Sequence, residues 1–146
     1  GWPTWSRRSV TWAAPMSDSD LETVRLLYER VNDGGIEAAI GLIAEDFVAE
    51  VPPSMSAEPD VYRGHAGARR YFAGFEGLME DVRFDPIEFV EEGDAVLIWM
   101  RFSGRGVTSG IDVAQFAAVV QRVRDGKVTL MEAHPDMDAA RAALAG

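Results

Sequence analysis

The chain has 146 residues, of which 47% are hydrophobic and 26% are charged, and this predicts one globular domain with a core of adequate size. It contains no cysteine, so disulfides and thiolate metal sites are excluded, and a cytoplasmic location fits this composition. The formal net charge of -10 argues against nucleic acid and anionic membranes as partners, and no apolar run is long enough to span a bilayer.

The first part of the chain differs in composition from the rest. It contains Trp2, Trp5 and Trp12 without helical or strand periodicity, and Met16 is followed by a stretch typical of a natural start. We predict that residues 1–16 are an N-terminal extension outside the core and that residues 17–146 form the domain. The extension is expected either to be disordered or to pack on its own domain or on a neighbour.

The part of the chain that follows is predicted to be helical. Ser19 and Glu22 have the spacing of a capping box, and apolar residues recur at helical spacing from Leu21 to Val31. A Gly-Gly pair then ends this helix, and a second, shorter helix is predicted from Ile36 to Ile43. A third helix is predicted from Ala68 to Met79, where packing must offset the glycines within it.

Strand signals dominate the second half of the chain. A short strand is predicted at Phe47–Val51, and after Asp81 the apolar period changes from about 3.6 residues to about 2. Four longer strands follow, joined by turns that include the favoured hairpin dipeptide Asp125-Gly126, and a short helix comes last. The four strands are predicted at Val82–Glu91, Ala95–Ser103, Ile111–Val123 and Lys127–His134, and the helix at Asp136–Leu144.

Helices followed by an antiparallel meander predict an α+β fold. The strands are apolar on both faces, since Leu97 and Trp99 alternate with Ile98 and Met100 in the segment Ala95–Phe102. A strand that is buried on both sides loses its alternation of polar and apolar residues. We therefore expect helices to cover one face and a second copy of the chain to cover the other, in a symmetric homodimer.

Three segments of the chain resemble one protein family. The opening of SnoaL-like and ketosteroid isomerase-like domains resembles the segment LLYERVNDGGIEAAIGLIAEDFVAEVPP. The third helix of these domains resembles YRGHAGARRYFAGF. Their last hairpin and tail resemble VRDGKVTLMEAHPDMDAARAA. The resemblance covers roughly Asp20 to Ala143 and implies the nuclear transport factor 2-like superfamily. That fold is a cystatin-like cone, in which a strongly bent antiparallel sheet wraps about three N-terminal helices and opens over a pocket. Many members dimerise through the outer sheet face.

The resemblance also implies which positions carry chemistry. Ketosteroid isomerase uses an Asp base, while a Tyr and a protonated Asp hold the oxyanion. Tyr28 matches the oxyanion tyrosine, but Val51 falls at the base position and Ala118 at the position of the oxyanion Asp. Glu50 lies one residue from the base position, and such a shift turns a strand side chain to the other face. Two of the three groups are therefore missing, which argues against isomerase activity of that kind.

Tyr28, Arg101 and Glu50 are the candidate catalytic residues. A buried tyrosine hydroxyl needs a partner, so Tyr28 either anchors a ligand oxygen or is a core residue bonded to another side chain. Arg101 shares a strand face with Trp99, and the resemblance implies that this face points into the cone. In that position Arg101 would anchor an anionic oxygen. Alternatively, Arg101 reaches solvent or pairs with Glu50 or Glu132. Glu50 is a base if it faces the pocket and otherwise a surface residue.

An apolar pocket is the strongest functional signal in the sequence. Small alanines facing large aromatic residues would leave volume unfilled, which suits hydrophobic small molecules, whereas aromatics that fill the space would leave no pocket. No metal site is predicted, because the two histidines, His65 and His134, are well separated. The residues expected to line or floor the cone are Phe47, Val51, Tyr62, Phe72, Phe75, Trp99, Phe116, Ala118, Met131 and Ala133.

These observations predict a SnoaL-like homodimer that binds a small, largely apolar, oxygenated molecule of the polyketide or steroid type. No cofactor, metal, nucleic acid or membrane partner is expected. If the protein is an enzyme, we expect cofactor-independent isomerase, cyclase or dehydratase chemistry through an enol or enolate. The alternative is a non-catalytic ligand-binding or protein-interaction domain on the same fold.

Overall fold

The computed structural model describes residues 5–8, 17–51 and 60–145. Within these residues the helices are α1 (Asp18–Ala39), α2 (Gly64–Leu78) and α3 (Met137–Ala145), and a 3-10 turn at Ile40–Leu42 follows α1. The strands in the same part of the chain are β1 (Trp5–Arg8), β2 (Ile43–Val51), β3 (Asp60–Arg63), β4 (Met79–Glu92), β5 (Ala95–Gly106), β6 (Asp112–Arg124) and β7 (Lys127–His134). No helix among the described residues has the length and apolar character needed to cross a membrane.

The first two predicted helices form a single kinked element. The side chain of Ser17, not Ser19, caps α1 by accepting a hydrogen bond from the backbone amide of Asp20 at 3.1 Å. Gly35 interrupts the helix with a φ of 75°, a left-handed conformation that a residue without Cβ adopts at little cost. In the part of α1 that follows the kink, Ile36 and Ala39 are buried in the core.

The strands form one mixed sheet in the order β1-β4-β5-β6-β7-β2-β3. β4 to β7 are an antiparallel meander, whereas β2 pairs parallel with β7 and β1 pairs parallel with β4. The register of β4 on β5 shifts twice, between Glu80 and Arg83 and between Pro86 and Glu88, and such bulges bend a sheet. The predicted α+β class with a bent sheet around helices is confirmed, although the pairing is mixed and not wholly antiparallel.

Two short strands lie next to the undescribed parts of the chain. Strand β3, which pairs antiparallel with the end of β2, was not among the predicted elements. Residues Trp5–Arg8 of the extension pair with Phe89–Glu92 at the sheet edge. The rest of the extension lies outside the described residues. The division of the chain at residue 16 stays a prediction.

The two faces of the sheet bury different groups of residues. On the inner face, Ile98 and Met100 of β5 pack in a core with α1 and α2. On the outer face, Leu97 and Trp99 pack in a smaller cluster with α3, whose Ala140 is fully buried. The alternation predicted for β5 is therefore confirmed. Part of the outer face is covered by α3 from the same chain, which the sequence prediction did not anticipate.

Candidate ligand cavity

A cavity of about 420 Å³ lies between the inner face of the sheet and α2. Its walls come from α1, α2 and each strand from β2 to β7. This volume is within the range of pockets that hold small molecules in proteins. The sheet does not close on the helices here, because small residues such as Ala117 and Ala133 occupy the strand positions that face the rings of α2.

Aromatic rings form one wall of the cavity. Tyr71, Phe72 and Phe75 lie on one side of α2, where residues three and four positions apart are neighbours. The ring centroid of Phe75 lies 5.3 Å from that of Phe84 and 5.5 Å from that of Phe102, and both pairs meet edge to face. Such contacts are favourable for aromatic pairs and hold the rings in fixed orientations. The wall is therefore suited to contact a flat apolar molecule.

Two glycines of α2 have different consequences for the cavity. A Cβ at Gly67 would lie 2.6 Å from the backbone carbonyl carbon of Tyr62, so glycine is needed for the close approach of α2 to β3. A Cβ at Gly74, which lines the cavity, would meet no other atom within 4 Å. Gly74 therefore leaves open volume that a larger side chain would fill.

Tyr28 carries the most deeply buried hydroxyl of the cavity lining. It is 2% exposed, and its hydroxyl oxygen accepts a hydrogen bond from the side-chain amide of Gln121 on β6. Burial raises the pKa of Tyr28 far above its ordinary value, and the nearby Tyr71 raises it further, whereas the bond from Gln121 lowers it. Tyr28 is therefore a neutral hydroxyl at physiological pH, suited to hydrogen bonding and not to proton abstraction.

Three further polar residues lie at the cavity, and only one of them was predicted. Burial, and then the neighbouring Tyr62, raise the pKa of Tyr71 to about 12. Tyr62 and Gln115 also line the cavity. Among the described lining residues none carries a charge at neutral pH. The sequence of β6 did indicate that Gln121 and Gln115 point inward, because both lie an even number of residues from the inward-facing Ala117 and Val119.

The structure places six of the ten predicted pocket residues at the cavity and four elsewhere. Phe47 is fully buried in the inner core but does not line the cavity. Trp99, Phe116 and Ala118 are on the outer face of the sheet. The six residues at the cavity are Val51, Tyr62, Phe72, Phe75, Met131 and Ala133.

The outward position of Trp99 corrects the expected orientation of β5. Met100 and Phe102 line the cavity, so strand alternation turns Trp99 and Arg101 to the other side. The Trp99 ring stacks on Phe116 with centroids 5.5 Å apart and planes 15° apart. Ala118 also does not line the cavity, although the resemblance placed it there. The residues on either side of it, Ala117 and Val119, do line the cavity, and neither carries a carboxylate.

Of the three candidate catalytic residues, only Tyr28 reaches the cavity. The Arg101 side chain is 40% exposed, and its Nη1 lies 3.7 Å from Asp85 Oδ2. Glu50 is exposed and lies opposite Glu132 in the parallel pair, while the next residue, Val51, lines the cavity. Glu50 was predicted to lie one residue from the base position. Because neighbouring residues of a strand point to opposite faces, its side chain points away from the cavity.

Asn32 is a structural residue whose role the sequence did not indicate. Its side-chain amide donates to the carbonyl oxygen of Phe84, and its side-chain oxygen accepts from the Phe84 backbone amide, both at 2.8 Å. These two bonds fix β4 against α1 where Phe84 enters the cavity wall. In the sequence, Asn32 lies just before the Gly-Gly pair that predicts the end of a helix, and nothing there indicates a contact with Phe84.

The histidines have separate positions. His65 Nε2 lies 2.7 Å from the carbonyl oxygen of Ile43, which joins the start of α2 to β2. His134 Nε2 lies 3.9 Å from a carboxylate oxygen of Glu132 on the outer face. In the described ranges no group of three or more His, Cys, Asp or Glu residues is arranged to hold a metal ion.

Comparison with known proteins identifies relatives of this domain. Residues 24–131 match the SnoaL-like domain family. TerC, crystallised with polyporic acid, is 24% identical with a TM-score of 0.71, and the match covers 88% of this chain and 100% of TerC. A nuclear transport factor 2-like protein from Burkholderia xenovorans LB400 is 25% identical with a TM-score of 0.65, covering 87% and 98% of the two chains. No curated protein matches this chain.

A third solved structure is a Mycobacterium tuberculosis protein in complex with estradiol-17beta-hemisuccinate. It is 15% identical with a TM-score of 0.68, and the match covers 84% of this chain and 98% of that protein. At such low identity, the likeness to this structure and to TerC shows the shared fold and nothing about the ligand of this chain.

Proposed function

The chain belongs to the SnoaL-like domain family, and from that premise we propose that it binds a small, uncharged, largely apolar molecule that carries oxygen. The observation that carries the proposal is the cavity of about 420 Å³, whose described lining combines aromatic rings with neutral hydroxyl and amide groups. An apolar wall with a few polar groups is the usual composition of a small-molecule site.

The size and shape of the cavity favour a ligand of the polyketide or steroid type. Its aromatic wall supplies ring faces and edges for a flat molecule, and Tyr28 supplies a hydroxyl for a ligand oxygen. The structures of TerC and of the Mycobacterium tuberculosis protein contain polyporic acid and estradiol-17beta-hemisuccinate, respectively. We propose that this chain binds a compound of comparable ring character.

The electrostatics of the cavity favour an uncharged ligand. None of the described lining residues can neutralise a carboxylate or an ammonium group at neutral pH. Burial of an ionised group without a charged partner is strongly unfavourable. We therefore expect the ligand oxygens at the cavity to be hydroxyl, ketone or quinone groups.

We propose binding, and not proton transfer by a carboxylate, as the primary activity. Isomerase or cyclase chemistry would use Tyr28 to stabilise a developing oxyanion, but it would also need a base. Glu50 and Arg101 lie on the outer side of the sheet, so neither can act on a molecule in the cavity. The non-catalytic alternative is therefore the function that this geometry supports best.

The outer face of the sheet is the proposed homodimer interface. Phe116 remains 47% exposed although it stacks on Trp99, and Ile111 at the adjoining turn is 64% exposed. Exposed apolar side chains beside an apolar cluster favour association with a second copy. We expect light scattering to give a dimer mass for the wild type and a monomer mass for Phe116→Glu; a monomeric wild type would contradict the proposal.

A cytoplasmic location is proposed on composition alone, since the chain has no cysteine.

The binding proposal is tested with two glycine variants of α2. Both Gly74 and Gly77 are exposed to open space, but only Gly74 lines the cavity. Gly74→Leu should fill cavity volume, and Gly77→Leu is its matched control. Each change should also stabilise the helix by about 1 kcal/mol, because glycine is a poor helix former, so both variants are expected to fold.

The probe is acetylnaphthalene, a neutral aryl ketone, titrated into each protein by calorimetry. We expect the wild type and Gly77→Leu to bind with equal affinity and Gly74→Leu to bind about tenfold or more weakly, since the side chain occupies ligand volume. Equal affinity for the two leucine variants, or no binding by the wild type, would contradict the proposal.

A further inference from the structure

Gln121 is a buried polar residue that directly follows the buried apolar run 117–120 of β6. It is 0% exposed on the inner side of β6, next to Val96 of β5 and Met131 of β7 in the sheet. Burial of an amide is unfavourable unless its hydrogen bonds are satisfied. In the described part of the chain, Gln121 Oε1 has no hydrogen-bond partner, so the bond from its nitrogen to Tyr28 is the side chain's one satisfied contact.

This bond determines what the Tyr28 hydroxyl can do. A phenol O–H lies in the plane of its ring, because the oxygen is conjugated with the ring. One in-plane position holds the proton, and the opposite one accepts a hydrogen bond. Gln121 donates to Tyr28 and therefore occupies the accepting position. The proton must take the other position.

The cavity is the open volume next to Tyr28. Tyr28 lines the cavity, whereas Gln121, which is 0% exposed, does not. The hydrogen bonds of the described residues include no acceptor for the Tyr28 proton. A donor that borders an apolar cavity and has no acceptor among the described residues is best satisfied by an acceptor oxygen of a ligand.

We infer that Gln121 is a positioning residue that turns the Tyr28 proton into the cavity, so that the site selects ligands with an acceptor oxygen such as a ketone or quinone carbonyl. The inference rests on the proposed function, because it concerns a ligand in the same cavity. It adds the role of Gln121, whose bond to the Tyr28 oxygen leaves the Tyr28 proton for a ligand oxygen. A hydrocarbon of the same shape should gain nothing from either residue.

The test is a double-mutant cycle on two probes that differ only in the oxygen. Acetylnaphthalene carries the ketone, and ethylnaphthalene has a similar shape without it. Dissociation constants are measured for the wild type, Tyr28→Phe, Gln121→Met and the double variant, where Met is close in volume to Gln. We expect Tyr28→Phe to weaken ketone binding about fivefold and Gln121→Met about threefold, with hydrocarbon binding unchanged.

The double variant gives the sharpest result. Because Gln121 acts only through the Tyr28 hydroxyl, the double variant should bind the ketone as Tyr28→Phe does, without a further loss. Additive losses, or an equal loss for the ketone and the hydrocarbon in Gln121→Met, would show a purely structural role and overturn the inference. A rise in ketone affinity in Gln121→Met would mean that Tyr28 donates to Gln121, and it would overturn the inference as well.

The experiment separates this inference from the proposed function. Binding of both probes by the wild type, with no effect of Tyr28→Phe, would overturn the inference and leave the cavity as a binding site. Binding of neither probe by the wild type would contradict both.

Discussion

The inner and outer faces of the sheet are built from the same strands but differ in the chemistry they present. The inner face carries aromatic rings, small residues and the neutral pair Tyr28 and Gln121 around open volume. The outer face carries Arg101, Glu50 and Glu132 beside a smaller apolar cluster. The difference shows that the charged residues which suggested catalysis belong to the surface, while the cavity is suited to a neutral ligand.

The largest expected difference between the faces concerns their contribution to stability. Phe47→Ala removes a ring that is 0% exposed in the inner core, and we expect it to lower the free energy of unfolding by about 3–5 kcal/mol. Phe116→Ala removes a ring that is 47% exposed on the outer face, and a loss below about 1 kcal/mol is expected. Urea unfolding at a concentration where the protein is monomeric measures both. Similar losses would remove the energetic distinction between the faces.

The link between α1 and the inner wall should have the next largest effect. Asn32→Ala deletes both hydrogen bonds to the Phe84 backbone and leaves those backbone groups partly buried, so we expect a loss of about 2 kcal/mol. The neighbouring Asp33 is exposed, and Asp33→Ala should change stability by less than about 0.5 kcal/mol. Chemical denaturation of the two variants checks this, and equal effects would show that the Asn32 contacts contribute nothing.

Alkaline pH should destabilise the inner face through its tyrosines. The pKa of Tyr71 is raised from 10.0 to about 12 in the folded protein, so the folded state holds this proton more tightly than the unfolded chain does. Its stabilising contribution is complete below pH 10 and is lost as the pH rises toward about 12. The loss should be about 1–2 kcal/mol. Denaturation across this range should show a shallower fall for Tyr71→Phe than for the wild type; an identical slope would contradict the assignment.

The smallest effects are expected for the charged residues of the outer face. Arg101→Ala and Glu50→Gln should leave acetylnaphthalene affinity unchanged within about twofold, because neither side chain reaches the cavity. Arg101→Ala should alter stability by less than about 1 kcal/mol, since its contact with Asp85 is exposed. A loss of ligand affinity in either variant would mean that the binding site is on the other face.

The sequence predicted the order of elements and much of the inner core, because apolar periodicity is a local property. Leu97 and Trp99 were separated correctly from Ile98 and Met100 by strand alternation. Alternation does not say which of two apolar sets faces the helices. The choice therefore rested on the resemblance, and it placed Trp99 on the wrong side.

The contacts that the sequence did not predict are long-range ones. Gln121 lies 93 residues from Tyr28, and Asn32 lies 52 residues from Phe84. Each polar residue has an unremarkable local context, and its role appears only when the fold brings a second segment to it. The arrangement of the cavity lining depends on such contacts, so the partners of its polar groups could not be assigned from spacing alone.

The central claim is that the ligand binds on the inner face, and methionine methyl groups report on it directly. Met79, Met100 and Met131 line the cavity, whereas Met137 packs against the outer cluster. With isotope-labelled methionine methyls, nuclear magnetic resonance follows all four during titration with acetylnaphthalene. We predict that the resonances of Met100 and Met131 shift and that of Met137 does not. A shift of Met137 with Met100 and Met131 unchanged would contradict the account.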